Sequence, residues 1–250
     1  MDKTSLGDRM KTYEKAPAVN LMRKTPVIMR LDGKAFHTYT RHPLFTQEGT
    51  FSPTLRQCFA YATQKLMNQI QGSRLAYMQS DEVSILITDW RKVTSDAWFN
   101  YGTQKMVSVA VSMFTVYFND YMRTLLEQYA QYAYPQDAFF DARVFNLPPH
   151  EVINYFIWRQ QDAIRNSIQM LGRSKFSHKQ MDGKNTDQVQ DMLMAVHNVN
   201  WNDTPTAFKR GHCIRTIFDN EDRVDLIDDL QIPIFTENRD YIDRYVKEII

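Results

Sequence analysis

Apolar positions along this chain follow two rhythms, one short and continuous, the other spaced by three and four. The continuous kind appears first in "TPVIMRLDG", Thr25 to Gly33. It is rich in Val and Ile and stopped by Asp-Gly, which predicts a buried strand. "SPTLRQCFAYATQKLMNQI" shows the second rhythm. Ser52 is placed to cap a helix, Pro53 suits its first position, and Leu55, Phe59, Ala62, Leu66 and Ile70 fall on one face. Gly72 is placed to end that helix. "RLAYMQSDEVSILITDW" predicts two strands, Leu75 to Met78 and Val83 to Thr88, with Gln79 to Glu82 at the turn. A long helix follows, begun by Ser95 or Asp96. Phe140 to Pro148 reads as a strand, and Glu151 to Leu171 as a helix ended by Gly172. A short polar helix, Ser5 to Tyr13, precedes them all.

The order strand, helix, strand, strand, helix, strand is that of the ferredoxin-like split βαβ fold, an α+β class. The expected organisation is a catalytic domain over residues 1–172. Residues 173–250, polar and turn-rich, are expected to pack on it as helices and loops in one compact unit.

Composition narrows the function classes. Of 250 residues, 43% are hydrophobic and 24% charged, as in globular rather than disordered chains. The net charge is only +1, so a basic surface requires segregation of the 30 Lys and Arg residues. Cys58 and Cys213 lack CxxC spacing, which argues against a zinc site or a disulfide scaffold and for reduced thiols in a cytoplasm. "MDKTSLGDRMKTYEK" carries no apolar signal region, and no long apolar run predicts a membrane span.

The chemistry concentrates at "MRLDGKAFH". In the expected topology Asp32 at the end of the first strand and Asp81 at the hairpin turn reach the same sheet edge. Gly33 lets backbone approach a phosphate or offer a carbonyl to a metal, and Lys34 and His37 open the following loop. Two carboxylates and a carbonyl suit Mg²⁺, and two such ions about 3.5–4 Å apart would clamp an in-line phosphoryl displacement. The bland alternative stays open at this point: Asp32 as a turn cap and Asp81 as an ordinary hairpin residue. Glu82, on the opposite side of an extended chain from Asp81, is left out of the metal set.

"RLDGKAFHTYTR" resembles the "RxDGxxFHxF" signature of the tRNA-histidine guanylyltransferase superfamily, and "YMQSDEVSILI" resembles its "GQSDExSFxF". The likeness continues in order through "FDARVFNLP", "YFIWRQQDAIRNSIQ", "NVNWND" and "FKRG", from about Leu6 to Arg210. It implies a polymerase-type palm that extends RNA at its 5′ end, 3′ to 5′. ATP activates the 5′-phosphate, and the 3′-hydroxyl of an incoming nucleoside triphosphate attacks it. By the same resemblance Asp32, Gly33 and Asp81 hold two Mg²⁺ ions, while Lys34, Ala35, Phe36, His37 and Ser80 line the nucleotide. Lys105, Arg143, Arg159, Asp162 and Asn166 match positions tied to activation or RNA contacts. A homotetramer acting on tRNA is implied as well.

Two departures stand out. The guanylyltransferases carry "HINN" after "WRQxDx"; here "IRNS" puts Ile164 in place of the histidine. That resembles the Thg-like branch, whose members favour templated repair of 5′-truncated tRNAs over adding one untemplated G to tRNA-His. The family's "KPxD"-like loop is also replaced by "RHPLFTQEGTFSPTL", leaving Arg41 and Arg56 as the cations there.

Lys209 and Arg210 fit tRNA phosphates better than a merely solvated loop, given the "FKRG" match. Trp158 falls on an apolar helix face and is expected in the core. His42, His150, His197 and His212 form no ligand pattern and read as structural or surface residues. The rival readings are a histidine-tRNA guanylyltransferase, a cyclase-like palm and a catalytically inactive RNA-binding module. The paired carboxylates weigh against the last.

Overall fold

A computed structural model describes residues 5–91, 94–128, 131–219 and 222–247. Six antiparallel strands form one sheet: β1 (Val27–Gly33), β2 (Ser73–Gln79), β3 (Glu82–Ile87), β4 (Phe140–Asn146), β5 (His212–Asp219) and β6 (Asp222–Asp229), in the order β4-β1-β3-β2-β5-β6. The first four have the ferredoxin-like order, and the fold is α+β. The helices are α1 (Leu6–Lys15), the short α2 (Phe36–Tyr39) and α3 (Pro43–Thr46), α4 (Pro53–Gln69), α5 (Thr103–Leu126), α6 (Val152–Arg173), the short α7 (His178–Met181), α8 (Thr186–His197), the short α9 (Thr206–Arg210) and α10 (Asp240–Lys247).

Strand parity divides the core. Val27, Met29 and Leu31 of β1 pack with Phe59 and Leu66 of α4 and Phe114 and Phe118 of α5. Ile28 faces the other way, toward Val152, Phe156, Phe235 and Ile242 from α6, α10 and the segment between β6 and α10. A third apolar cluster joins Ile168 and Leu171 of α6 to Met181, Val189 and Leu193.

Four boundaries depart from the sequence reading. The long helix begins at Thr103, because Phe99, Asn100 and Tyr101 have φ near +50° and break helical geometry while burying Trp98 and Tyr101. Gly172 lies inside α6; a Cβ there would meet Met181 Cε at 2.5 Å and Val189 Cγ1 at 2.7 Å. Its role is close helix approach rather than helix termination. Gly72 turns the chain into β2, at φ +82°, against the carbonyl of Thr88, two residues beyond the C-cap Ile70. Finally, the C-terminal part supplies strands as well as helices and loops: β5 pairs with β2, with Tyr77 opposite Cys213. The caps at Ser5 and Ser52 form as expected, each side chain accepting from a backbone amide three residues on.

Candidate active site

The site grows from the way β1 ends. Asp32 lies opposite Glu82 on one side and Asp141 on the other. Paired residues across antiparallel strands share a face, so Asp32 leans to the side of the sheet covered by α6. The Gly33 amide donates to the Asp81 carbonyl at 3.0 Å, tying the strand end to the β2–β3 turn. A side chain at Gly33 would put its Cβ 2.2 Å from the Phe36 ring. Phe36 itself is anchored among Tyr39, Phe59, Phe118 and Phe140, which fixes the loop between β1 and α2. Ala35 sits at φ +55°, an uncommon conformation for a residue with a Cβ. The loop thus combines a buried aromatic anchor with a tight backbone.

Asp81 is half-buried in the two-residue turn, next to Ser80 at φ +50°. Burial lifts the Asp81 carboxyl above the ordinary carboxylate range. The Ser80 hydroxyl and the residue's own backbone amide pull it down, Asp32 pushes it up and His37 lowers it. Asp32 and Asp81 therefore sense each other's charge across the strand end. Among the described residues neither enters an ion pair, and no trio of His, Cys, Asp or Glu side chains gathers for a metal. Two carboxylates at one strand end, neither in an ion pair among the described residues, fit a divalent ion that completes its shell with phosphate oxygens and water.

A cavity of about 550 Å³ opens beside this edge. Gly33, Ser80, Asp81, Ala35, Phe36 and His37 line its mouth. One wall is the segment from Thr40 to Arg56. The other is the C-terminal half of α6, through Ala163, Asn166, Ser167 and Met170, with Ala207 and Phe208 of α9. At 22 residues, α6 is about 33 Å long and outruns the seven-residue strands beside it. Phe51 stacks on Phe208 across the two walls, 5.5 Å between centroids and 16° from parallel. Arg56 lines the cavity and Arg41 does not. Glu48, in the altered loop, accepts from Thr54 Oγ1 at 2.5 Å and from Ser52 Oγ, so it caps α4.

The other positions suggested by the family motifs sort differently. Arg159 is buried and bonds Glu82 at 2.7 Å and Asp162 at 3.1 Å, with Arg30 4.0 Å from Glu82. Burial raises the Glu82 carboxyl, against Arg159 and Arg30, which lower it. Asp162 also holds Arg165, and Arg143 is exposed beside Asp141 at 3.4 Å. This ionic cluster sits on the α6 face, behind the cavity. Lys34 is exposed, its amide bonded to the Phe139 carbonyl at 2.8 Å. Lys105 is exposed and nine residues before Phe114, which packs on Phe140; that is about 14 Å along α5, away from the carboxylate end. Within one chain it does not join Asp32 and Asp81. Lys209 Nζ donates to the Asn202 carbonyl at 2.7 Å and lies over the Trp201 ring. Arg210 Nε donates to the Ile232 carbonyl at 3.2 Å. Trp158 is 49% exposed, contrary to the core placement expected; the Arg159 guanidinium, 3.7 Å from its ring, covers it instead.

His212, read from the sequence as structural or surface, is a buried wall residue of the cavity; its partner Asp228 was not singled out. Both belong to the hairpin β5–β6, which had no clear alternation to announce it.

The sequence matches the family described as "Thg1: tRNAHis guanylyltransferase" over residues 7–148. A bacterial tRNA(His) guanylyltransferase (Thg1)-like protein solved in complex with ATP is 43% identical, with TM-score 0.84 over 97% of this chain and 100% of that one. A second bacterial structure so described, in complex with GTP, is 39% identical, with TM-score 0.80 over 98% and 100%. The tRNA(His) guanylyltransferase of Schizosaccharomyces pombe is 26% identical over 229 residues, 85% of this chain and 81% of that protein. The yeast enzyme from Saccharomyces cerevisiae shares the fold at TM-score 0.65 and 18% identity. The chain belongs to the tRNA-His guanylyltransferase family and is a nucleotidyltransferase.

Proposed function

We propose that this protein adds nucleotides to the 5′ end of tRNA in the 3′-to-5′ direction, guided by the opposing strand, and so repairs 5′-truncated tRNAs. The observation that carries this reading is Ile164. It packs on the third apolar cluster, with Phe51 and Trp201, one residue from the Ala163 that lines the cavity. A branched apolar side chain has no polar atom for a base or phosphate, so the contact a histidine makes at this position is absent. Base pairing with the opposing strand is then the available source of discrimination.

Asp32, Asp81 and the Gly33 carbonyl are the residues that would hold Mg²⁺. When bound, the ions neutralise developing charge on the attacking and leaving oxygens. The chain's own contribution is positioning. The anchored Phe36 holds the loop Lys34 to His37 beside the carboxylates. His37 and Ser80 offer polar groups to the triphosphate, and Asn166 offers an amide from the facing wall. The ATP and GTP complexes of the bacterial relatives support a nucleoside triphosphate as occupant. Arg143, Lys209 and Arg210 belong to the surface we assign to tRNA; Arg159 and Asp162 hold that surface from behind, through the ion pairs described above. Lys105, distant within one chain, fits a role across subunits of a tetramer. The reduced cysteines suit a cytoplasmic enzyme, and among the described residues no helix is long and apolar enough to cross a membrane.

The test varies the unpaired template base on one truncated tRNA and compares addition of all four nucleotides. The added nucleotide follows the template: C opposite G, G opposite C, A opposite U. Equal addition of G opposite every base would instead make the enzyme an untemplated guanylyltransferase.

A further inference from the structure

Away from the carboxylates, the cavity ends on a second polar cluster built from three elements. His212 is the first residue of β5, paired with Met78 at the end of β2, and is only 3% exposed. Its Nδ1 lies 2.7 Å from Asp228 of β6. Arg56, in the first turns of α4, reaches the other Asp228 oxygen at 3.2 Å. Both His212 and Arg56 line the cavity, and neither residue's role follows from the strand-end motifs.

Asp228 settles how the pair presents itself. Burial pushes its carboxyl up, but His212 and Arg56 outweigh that and hold it below the ordinary carboxylate range. An ionised carboxylate only accepts hydrogen bonds, so Nδ1 carries the proton and donates. In the neutral ring Nε2 is then an acceptor. Among the described residues Nε2 has no hydrogen-bond partner. Arg56 adds donors alongside it. One acceptor and one donor side by side complement the edge of a purine. Adenine offers its exocyclic N–H beside N1; guanine offers N1–H beside O6. A triphosphate, which only accepts, matches Arg56, and matches Nε2 only where the ring carries a second proton.

We propose that His212, oriented by Asp228 and acting with Arg56, binds the hydrogen-bonding edge of the purine of a nucleoside triphosphate seated in this cavity. The triphosphate then points toward Gly33, His37 and Ser80 at the other end. This rests on the nucleotidyltransfer reading above. It makes His212 and Arg56 base-binding residues and Asp228 a positioning residue. It also pairs the replaced loop with α4 and β5, which set Arg56 and His212 into the same cavity.

Direct titration calorimetry with ATP, purine riboside triphosphate (which lacks the exocyclic amine) and inorganic tripolyphosphate tests this. For the unaltered protein, ATP binds about tenfold tighter than the purine riboside analogue, the worth of one good hydrogen bond. In His212→Ala the two bind alike, and tripolyphosphate binds as to the unaltered protein. Asp228→Asn moves the ATP preference in the same direction, and the KM for ATP rises while kcat holds. His212→Leu preserves side-chain bulk without an acceptor should the alanine variant melt early. Equal weakening of all three ligands in either folded His212 variant would reduce His212 to a structural prop and overturn the proposal. So would an undiminished preference for ATP in those variants. If the unaltered protein bound tripolyphosphate and no nucleotide, or bound neither, the nucleotidyltransfer reading would fall along with this one.

Discussion

The two faces of the sheet meet at one strand end in opposite chemical environments. On the α4–α5 face, Phe36, Phe59, Phe114, Phe118 and Phe140 pack together in tilted and edge-to-face contacts beneath the cavity. On the α6 face, one residue along in strand parity, Arg30, Glu82, Arg159 and Asp162 form a nearly dry ionic cluster. Asp32 and Asp81 stand where these meet. The difference shows how a short strand can serve chemistry and stability together. Odd positions of β1 (Val27, Met29, Leu31) anchor the apolar side, and even positions (Arg30, Asp32) carry charge. The aromatic side fixes where the loop lies, while the ionic side ties β1 and β3 to α6 through Glu82 and Arg159.

Breaking the shared edge should have the largest effect. Asp32→Ala or Asp81→Ala removes a ligand worth several kcal/mol of transition-state stabilisation, hence about a thousandfold or more in nucleotide addition. Melting curves should stay close to those of the unaltered protein, and near-normal turnover in either variant would sink the metal assignment.

The aromatic side comes next. Phe36→Ala removes a ring at the centre of four aromatic contacts and should cost about 3–5 kcal/mol by chemical denaturation. Activity should fall too, since Gly33 loses the ring that packs against it. A loss under about 1 kcal/mol would show that the loop is held by something other than this anchor.

Breaking the ionic side sharpens the contrast. Glu82→Ala strands the buried guanidinium of Arg159 and should cost about 3 kcal/mol. Glu82→Leu, which still strands it, should do no better. Equal stability of Glu82→Ala and the parent would mean that Arg159 is compensated by Asp162 alone.

The smallest effect is expected far from the site. Arg123 bridges Asp120 and Asp137 at 2.8 Å each, but it is half-exposed, so Arg123→Ala should leave the melting curve close to that of the unaltered protein. A larger loss would show that exposure alone does not separate the two kinds of ion pair in this fold.

Much of the palm was legible because it obeys simple rules. "TPVIMRLDG" and "YMQSDEVSILI" are short, apolar and punctuated by turn residues, and they gave β1, β2 and β3 with the carboxylates at one edge. Glu82, left out of the metal set by strand alternation, pairs with Asp32 across β1 and β3 and bonds Arg159. What escaped had competing signals. "SDAWFNYG" looks like a helix start, yet three consecutive positive φ values delay the helix to Thr103. "HCIRTIFD" and "DRVDLIDD" are too charged to announce a buried hairpin; β5 and β6 exist because β2 offers them an edge. The pairing of His212 with Asp228 escaped for the same reason. Trp158 was misplaced because helical periodicity cannot tell an apolar ring in the core from a half-exposed one with an arginine on one face.

The pairing of β2 with β5 also sets a schedule for synthesis. Leu75 finds its partner Arg215 only 140 residues later in the chain. At about 5–20 residues per second, β2 emerges roughly 7–28 seconds before the strand that covers it. For that interval Leu75, Ala76, Tyr77 and Met78 present an unpaired apolar edge, the kind that recruits strands from other chains. A ribosome stalled after α6 would therefore hold β1 to β4 with Asp32 and Asp81 at their shared edge and a sticky flank, a natural client for a chaperone that binds extended apolar segments.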